Sequence, residues 1–167
     1  MRKMNNYFKA IAIVTFVLAM ASCKKEDPYA AYTPEREAKL VTDWITEMGK
    51  KNKDVDTISA GLYQIVEKEG TGEFVKSGDE LTVKYTGMFV DGTIFDASAY
   101  HNTAGTMTYI HKTDPLISGW EEGIELMKKE GKTVFLISSS KAYGSGGYAS
   151  IPPNSPLIFV IEVVDIK

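Results

Sequence analysis

Between residues 33 and 49 the apolar side chains Val41, Trp44, Ile45 and Met48 fall at i, i+3, i+4 and i+7, which places them on one face of a helix. Thr33-Pro34-Glu35 precedes them with a capping hydroxyl and a proline suited to a first turn, and Gly49 is the expected stop. Beyond residue 59 the pattern changes. Leu81-Thr82-Val83-Lys84-Tyr85-Thr86 alternates apolar and polar residues, the period of a strand with one buried face. Leu62–Val66 and Thr106–His111 read as further strands. Lys132–Ser138 and Leu157–Val164 are the most strand-like runs in the chain, dense in β-branched and aromatic residues. Asp91-Gly92, inside Phe89–Phe95, is a tight-turn signal. One helix interrupts the strands: Ile117, Trp120, Ile124 and Met127 share a face, and Gly119 and Gly123 let a neighbour approach it closely. These elements predict an α+β domain, an antiparallel sheet folded over a short helix, with the N-terminal helix outside it. The 33–49 stripe is only two turns long. It can pack on the domain behind it or form a homodimer contact with a second copy.

The start of the chain has a different composition. Arg2, Lys3 and Lys9 precede an apolar run from Ala10 to Ala21, the order of an export signal. The run is short against the ~20 apolar residues of a spanning helix. It ends in Met20-Ala21-Ser22-Cys23, which resembles the bacterial lipobox. That resemblance implies diacylglyceryl transfer to Cys23, cleavage before it and N-acylation. Cys23 is the only cysteine, so no intramolecular disulfide is available. Acyl chains would tether the protein to a membrane, each buried methylene contributing about 0.8 kcal/mol. The expected division is a signal peptide over 1–22, a tether and amphipathic helix over 23–58 ending in a charged linker, and a domain over 59–167. The expected location is the bacterial cell envelope, at the periplasmic face or the outer-membrane surface.

Hydrophobic residues make up 44% of the chain and charged residues 25%, the balance of a globular domain. Residues 1–22 hold three of the 19 basic side chains and none of the 22 acidic ones, so the remainder carries 16 basic against 22 acidic. An acidic chain argues against nucleic acid as a partner. His101 and His111 are the only histidines, and no cluster has metal-ligand spacing. Gly144-Ser-Gly-Gly147 lacks the Gly-Lys-Ser/Thr ending of a phosphate loop. Glu121 and Glu122 are adjacent on a helix and do not face each other. No nucleophilic triad can be assembled. What stands out is the density of aromatics in the second half, among them Tyr85, Phe89, Phe95, Tyr109, Trp120, Phe135, Tyr143, Tyr148 and Phe159. They make either a core or an aromatic pocket.

Five blocks in order choose between these: Val83-Lys-Tyr-Thr-Gly-Met88, Asp91-Gly-Thr-Ile-Phe-Asp96, Ile117-Ser-Gly-Trp-Glu-Glu-Gly123, Ala142-Tyr-Gly144 and Ile151-Pro-Pro-Asn-Ser-Pro-Leu-Ile-Phe159. Together they resemble the FKBP family of peptidyl-prolyl cis-trans isomerases over about residues 59–167. The resemblance implies a five- to six-stranded antiparallel sheet wrapped around the short helix, with the pocket between them. It implies that Trp120 forms the pocket floor under a proline ring and that Tyr85, Phe95 and Phe159 form its aromatic walls. Leu116 and Ile117 would form the aliphatic side, with the Ile117 N–H holding a substrate carbonyl. Asp96 matches the pocket carboxylate, Tyr143 the phenol that hydrogen-bonds the bound chain, and Ile151 lies on an overhanging loop.

Three positions depart from the family pattern. Met107 stands where the family has an aromatic, His101 near an arginine that pairs with the pocket aspartate, and Tyr148 near a histidine at the pocket rim. The implied activity is rotation about Xaa–Pro bonds of extracytoplasmic proteins, assisting their folding, with no cofactor and no metal. The partners would be proline-containing polypeptides and, through Cys23, a membrane. The alternative is a weakly catalytic or non-catalytic peptide-binding chaperone module.

Overall fold

The computed structural model describes residues 27–167. The expected signal peptide 1–22 and lipid acceptor Cys23 lie outside the described residues. Within them, no helix is long and apolar enough to cross a membrane.

Helix α1 runs over Pro34–Lys50. The Arg36 N–H donates to the Thr33 hydroxyl at 3.2 Å, and Pro34 fills the first turn. Glu35 and Glu37 sit at the positive end of the helix and Lys50 at the negative end. Gly49 is not the stop. The helix passes through it, and Asn52 turns the chain with a φ of 55°, a left-handed conformation that asparagine tolerates better than most residues.

The main sheet has seven antiparallel strands. In chain order they are β1 (Asp56–Ser59), β2 (Leu62–Lys68), β4 (Glu80–Phe89), β5 (Ile94–Ala97), β6 (Met107–Ile110), β8 (Lys132–Ile137) and β9 (Leu157–Ile166). Across the sheet they lie in the order β1-β2-β8-β9-β4-β5, with β6 also on β4. Two strands, β3 (Thr71–Phe74) and β7 (Lys128–Lys129), pair separately. The sheet exceeds the expected five or six strands for two reasons. Residues 56–58, expected as linker, form most of an edge strand, β1. On the other edge β5 and β6 share one side of β4, β5 opposite Thr86–Met88 and β6 opposite Glu80–Val83. Between them the chain leaves β4, and Ser98 fills the gap: its buried hydroxyl accepts from the Tyr85 N–H at 3.0 Å and donates to the Gly105 carbonyl at 2.7 Å.

Each face of the sheet packs against one helix. Helix α2 covers Ser118–Ile124, and its Trp120 and Ile124 pack with Leu62, Phe135, Phe159 and Ile161. A Cβ on Gly123 would lie 2.8 Å from the Phe135 ring, so glycine is what lets α2 lie this close to the sheet. The helix is shorter than the apolar spacing suggests. The chain leaves it after Ile124, and Met127 is buried by the turn that follows, its N–H donating to the Ile124 carbonyl at 3.0 Å. On the opposite face Val41 and Trp44 of α1 pack with Ile65, Leu136 and Ile158. The α1 stripe is therefore spent on its own sheet. Covering both faces also explains why β8 and β9 read as continuous apolar runs: Phe135 and Ile137 face α2 while Leu136 faces α1.

Candidate active site

The α2 side of the sheet, the start of α2 and the loop after β8 enclose a pocket of about 510 Å³. Strands β4 and β5 supply Tyr85, Phe95 and Asp96, β9 supplies Phe159, and α2 supplies Trp120. Leu116 and Ile117 enter from the approach to α2, and Tyr143 and Tyr148 from the loop. Pro115, Ser118 and Ala142 also line it. The sequence assigns none of them a pocket role, although Ser118 and Ala142 fall inside the matching blocks and Pro115 adjoins Leu116.

Met107 and Ile151 do not line the pocket. Met107 pairs with Val83 at the start of β6 and packs, half-buried, against the core. The residue of β6 that supports the site is Tyr109, whose hydroxyl accepts from the Trp120 indole N–H at 2.8 Å in the interior. Ile151 is buried in the core and does not overhang the site. Its backbone exchanges hydrogen bonds with Tyr148 at 2.8 and 2.9 Å, which closes the loop over residues 148–151.

The rings meet edge to face. Trp120 lies 5.4 Å from Tyr85 at 88° and 5.4 Å from Phe159 at 85°, and Phe95 meets Phe159 at 5.7 Å and 85°. This arrangement is electrostatically favourable, since the positive edge of one ring meets the negative face of the next, and it holds each ring in one orientation. Gly87 on β4 makes room for it: a Cβ there would lie 2.8 Å from Phe95 and 2.9 Å from Phe159. Tyr143 and Tyr148 are stacked at 5.2 Å and 13°, extending the wall outward.

Asp96 sits at the mouth. Its Oδ2 accepts from the Tyr85 hydroxyl at 2.7 Å, and its Oδ1 from the Ala97 N–H at 2.8 Å. His101 Nε2 lies 2.7 Å from the same Oδ1. Burial works to raise the carboxyl pKa, but the bonds from Tyr85 and His101 outweigh it and hold Asp96 below the usual carboxylate value. Burial, then the adjoining Asp96, pushes the Tyr85 phenol up. Burial also raises Tyr143, with smaller contributions from Tyr148 and Asp96, and pushes Tyr109 up to about 12. The pocket thus holds neutral phenols beside an ionised carboxylate. Among the described residues neither the Ile117 N–H nor the Tyr143 hydroxyl has a hydrogen-bond partner in the protein, and both residues line the pocket.

The sequence profile described as FKBP-type peptidyl-prolyl cis-trans isomerase matches residues 71–164. The chain belongs to the FKBP family. A probable FKBP-type peptidyl-prolyl cis-trans isomerase of Haemophilus influenzae is 36% identical over 167 residues, covering 99% of this chain and 66% of that protein. The isomerase FkpA of Escherichia coli K12 is 42% identical over 118 residues, 70% of this chain and 42% of that one. Its crystal structure superposes with a TM-score of 0.66 at 34% identity, covering 80% of this chain and 62% of that chain. A peptidyl-prolyl cis-trans isomerase from Pseudomonas syringae pv. tomato superposes with a TM-score of 0.65 at 28% identity, covering 81% of this chain and 96% of that chain. The α+β architecture, an antiparallel sheet around α2 with α1 outside it, is thus the FKBP fold. The chain spans 66% and 42% of the two curated relatives.

Proposed function

We propose that this FKBP domain catalyses cis–trans rotation about Xaa–Pro bonds. The observation that carries the reading is the edge-to-face cage of Tyr85, Phe95, Trp120 and Phe159, with neutral phenols and the ionised Asp96 at its mouth. Amide resonance sets a barrier of roughly 18–20 kcal/mol, and the uncatalysed change takes on the order of 10–100 s. No covalent bond breaks, so the task is to favour the twisted amide over the planar one. The twisted amide has lost resonance and polarity. A dry aromatic cage solvates it at less disadvantage than the planar amide, which water solvates well. The pocket is large enough for a proline ring, and Trp120 forms its floor. The Ile117 N–H and the Tyr143 hydroxyl are donors available to carbonyls of the bound chain. Asp96 holds Tyr85 in place as part of the wall. Contacts made only with the twisted state accelerate the reaction, about 1.4 kcal/mol for each tenfold.

The clients in this reading are extended, proline-containing polypeptides. The basic residues, apolar run and Met20–Cys23 junction at the start of the chain support an envelope location with a lipid anchor at Cys23. Loss of fatty-acid labelling in Cys23→Ser would support the anchor, and unchanged labelling would remove it. The activity is tested by a protease-coupled prolyl-peptide assay on the purified protein. Turnover well above the buffer rate is expected, and a rate equal to buffer would sink the proposal.

A second reading is favoured by Tyr148, which is 66% exposed and carries the aromatic wall beyond a proline-sized pocket. Such a surface suits holding of unfolded chains with little catalysis. A wild-type protein that suppressed client aggregation while turning over prolyl peptide little above the buffer rate would favour it.

A further inference from the structure

Glu37 lies one turn into α1, on the far side of the sheet from the pocket. Its carboxylate nevertheless holds the segment that carries Tyr143. Oε1 accepts from the Ser139 N–H at 2.5 Å and Oε2 from the Ser139 hydroxyl at 2.6 Å, across 102 residues of chain. Ser139 is buried and opens the short turn Ser139–Lys141. Its carbonyl accepts from the N–H of Ala142, the neighbour of Tyr143, at 2.9 Å. From the other side, the Ser118 hydroxyl of α2 donates to the Lys141 carbonyl at 3.3 Å, and Lys141 pairs with Glu122. The segment is therefore fixed between α2, which supplies Trp120, and α1.

A second contact reinforces the first. The Asn154 side-chain amide donates to the Tyr32 carbonyl at 2.7 Å, while the Asn154 backbone N–H donates to the Gly144 carbonyl at 3.0 Å. Both ends of the stretch from Ser139 to Asn154 thus meet the N-terminal segment, one at Glu37 and the other at Tyr32. Loops that bind ligand come from the less stable parts of a fold. A bond accepted by an ionised carboxylate is stronger than one between neutral groups, and here two converge on one buried residue. Fixing the loop in advance spares the binding step that loss of freedom.

We propose that Glu37 is a positioning residue of the isomerase site, holding Ser139 so that the Tyr143 phenol stands at the pocket mouth. The proposal rests on the isomerase reading above. Its test uses the full chain in detergent, with kcat/KM measured for wild type, Glu37→Ala, Glu37→Gln, Val41→Ala, Tyr143→Phe and the Glu37→Ala/Tyr143→Phe pair. Glu37→Ala lowers kcat/KM by about threefold to tenfold, and Glu37→Gln, which keeps an oxygen for the Ser139 N–H, restores most of it. Val41→Ala, one turn along the same helix, trims the packing of α1 on the sheet but removes no hydrogen bond to Ser139, and leaves kcat/KM within about twofold. In the Tyr143→Phe background Glu37→Ala causes little further loss, and amide exchange over residues 139–144 rises in both variants that carry Glu37→Ala and not in Val41→Ala or Tyr143→Phe. An active wild type with an unchanged Glu37→Ala overturns this proposal by itself. So does an equal loss in Val41→Ala, or losses that multiply in the double variant. A wild type at the buffer rate overturns the isomerase reading and this proposal with it.

Discussion

His101 Nε2 lies 2.7 Å from Asp96 Oδ1, so an imidazole holds the pocket carboxylate that the family resemblance assigns to an arginine. The substitution keeps the partner but shortens the reach. The loop after Ser98 brings His101 back over the end of β5. Asp96 is held below the usual 3.8, so its contribution to stability is present above that value and is lost as pH falls through the lowered one. Turnover should accordingly be unaffected by Asp96 until pH drops below the ordinary carboxylate range. In His101→Ala the carboxyl loses one of its bonds, and its titration, followed by carbon-13 NMR, moves upward toward 3.8. An Asp96 titration unchanged by the substitution would show that His101 does not hold it.

Tyr109→Phe removes the acceptor of the Trp120 indole N–H. That donor is then buried without a partner, which costs about 1–3 kcal/mol. Chemical denaturation should show a loss in this range, and turnover should fall because the pocket floor is no longer held in orientation. A neutral result on stability would mean that water or another acceptor takes over the indole.

Gly87→Ala places a methyl group within 3 Å of both Phe95 and Phe159. Gly87 lies within β4 and does not have a positive φ, so an alanine backbone is tolerated there and the strain falls on the rings. The variant should fold but lose turnover by roughly tenfold or more, about 1.4 kcal/mol of barrier. A ring-current shift at Phe95 and Phe159 is the accompanying NMR signature.

Trp44→Ala opens the contact between α1 and the sheet face opposite α2. A loss of about 3 kcal/mol is expected for a nearly buried tryptophan. At a temperature where the variant stays folded, the pocket should bind and turn over peptide almost as before, since Trp44 belongs to the cluster with Ile65, Leu136 and Ile158 and does not line the pocket. Differential scanning calorimetry beside an activity measurement separates the two effects.

The sequence showed most of this where a residue's role is local. Thr33, Pro34 and the stripe through Met48 announce α1 by cap, proline and period, and the runs at Lys132 and Leu157 announce β8 and β9. The pocket aromatics could not be told from core by spacing, and only the five ordered blocks separated them. Three strands gave no signal of their own. Residues 56–59, 71–74 and 128–129 are mostly exposed and do not alternate, so they are strands only because a partner lies alongside. Met107 and Ile151 were expected in the pocket, but backbone pairing with Val83 and Tyr148 draws them aside. The Glu37–Ser139 contact spans 102 residues and leaves no local trace, because a glutamate in a first helical turn already has a sufficient reason there in the helix dipole.

The most direct test of the central claim is two-dimensional exchange NMR on an Xaa–Pro peptide with a catalytic amount of the protein and no protease present. Exchange cross-peaks between the cis and trans proline signals should appear at mixing times of about a second or less, where the uncatalysed change is too slow to give them, and should weaken strongly when Phe95→Ala replaces the wild type. Absence of cross-peaks with the folded wild-type protein would contradict the account.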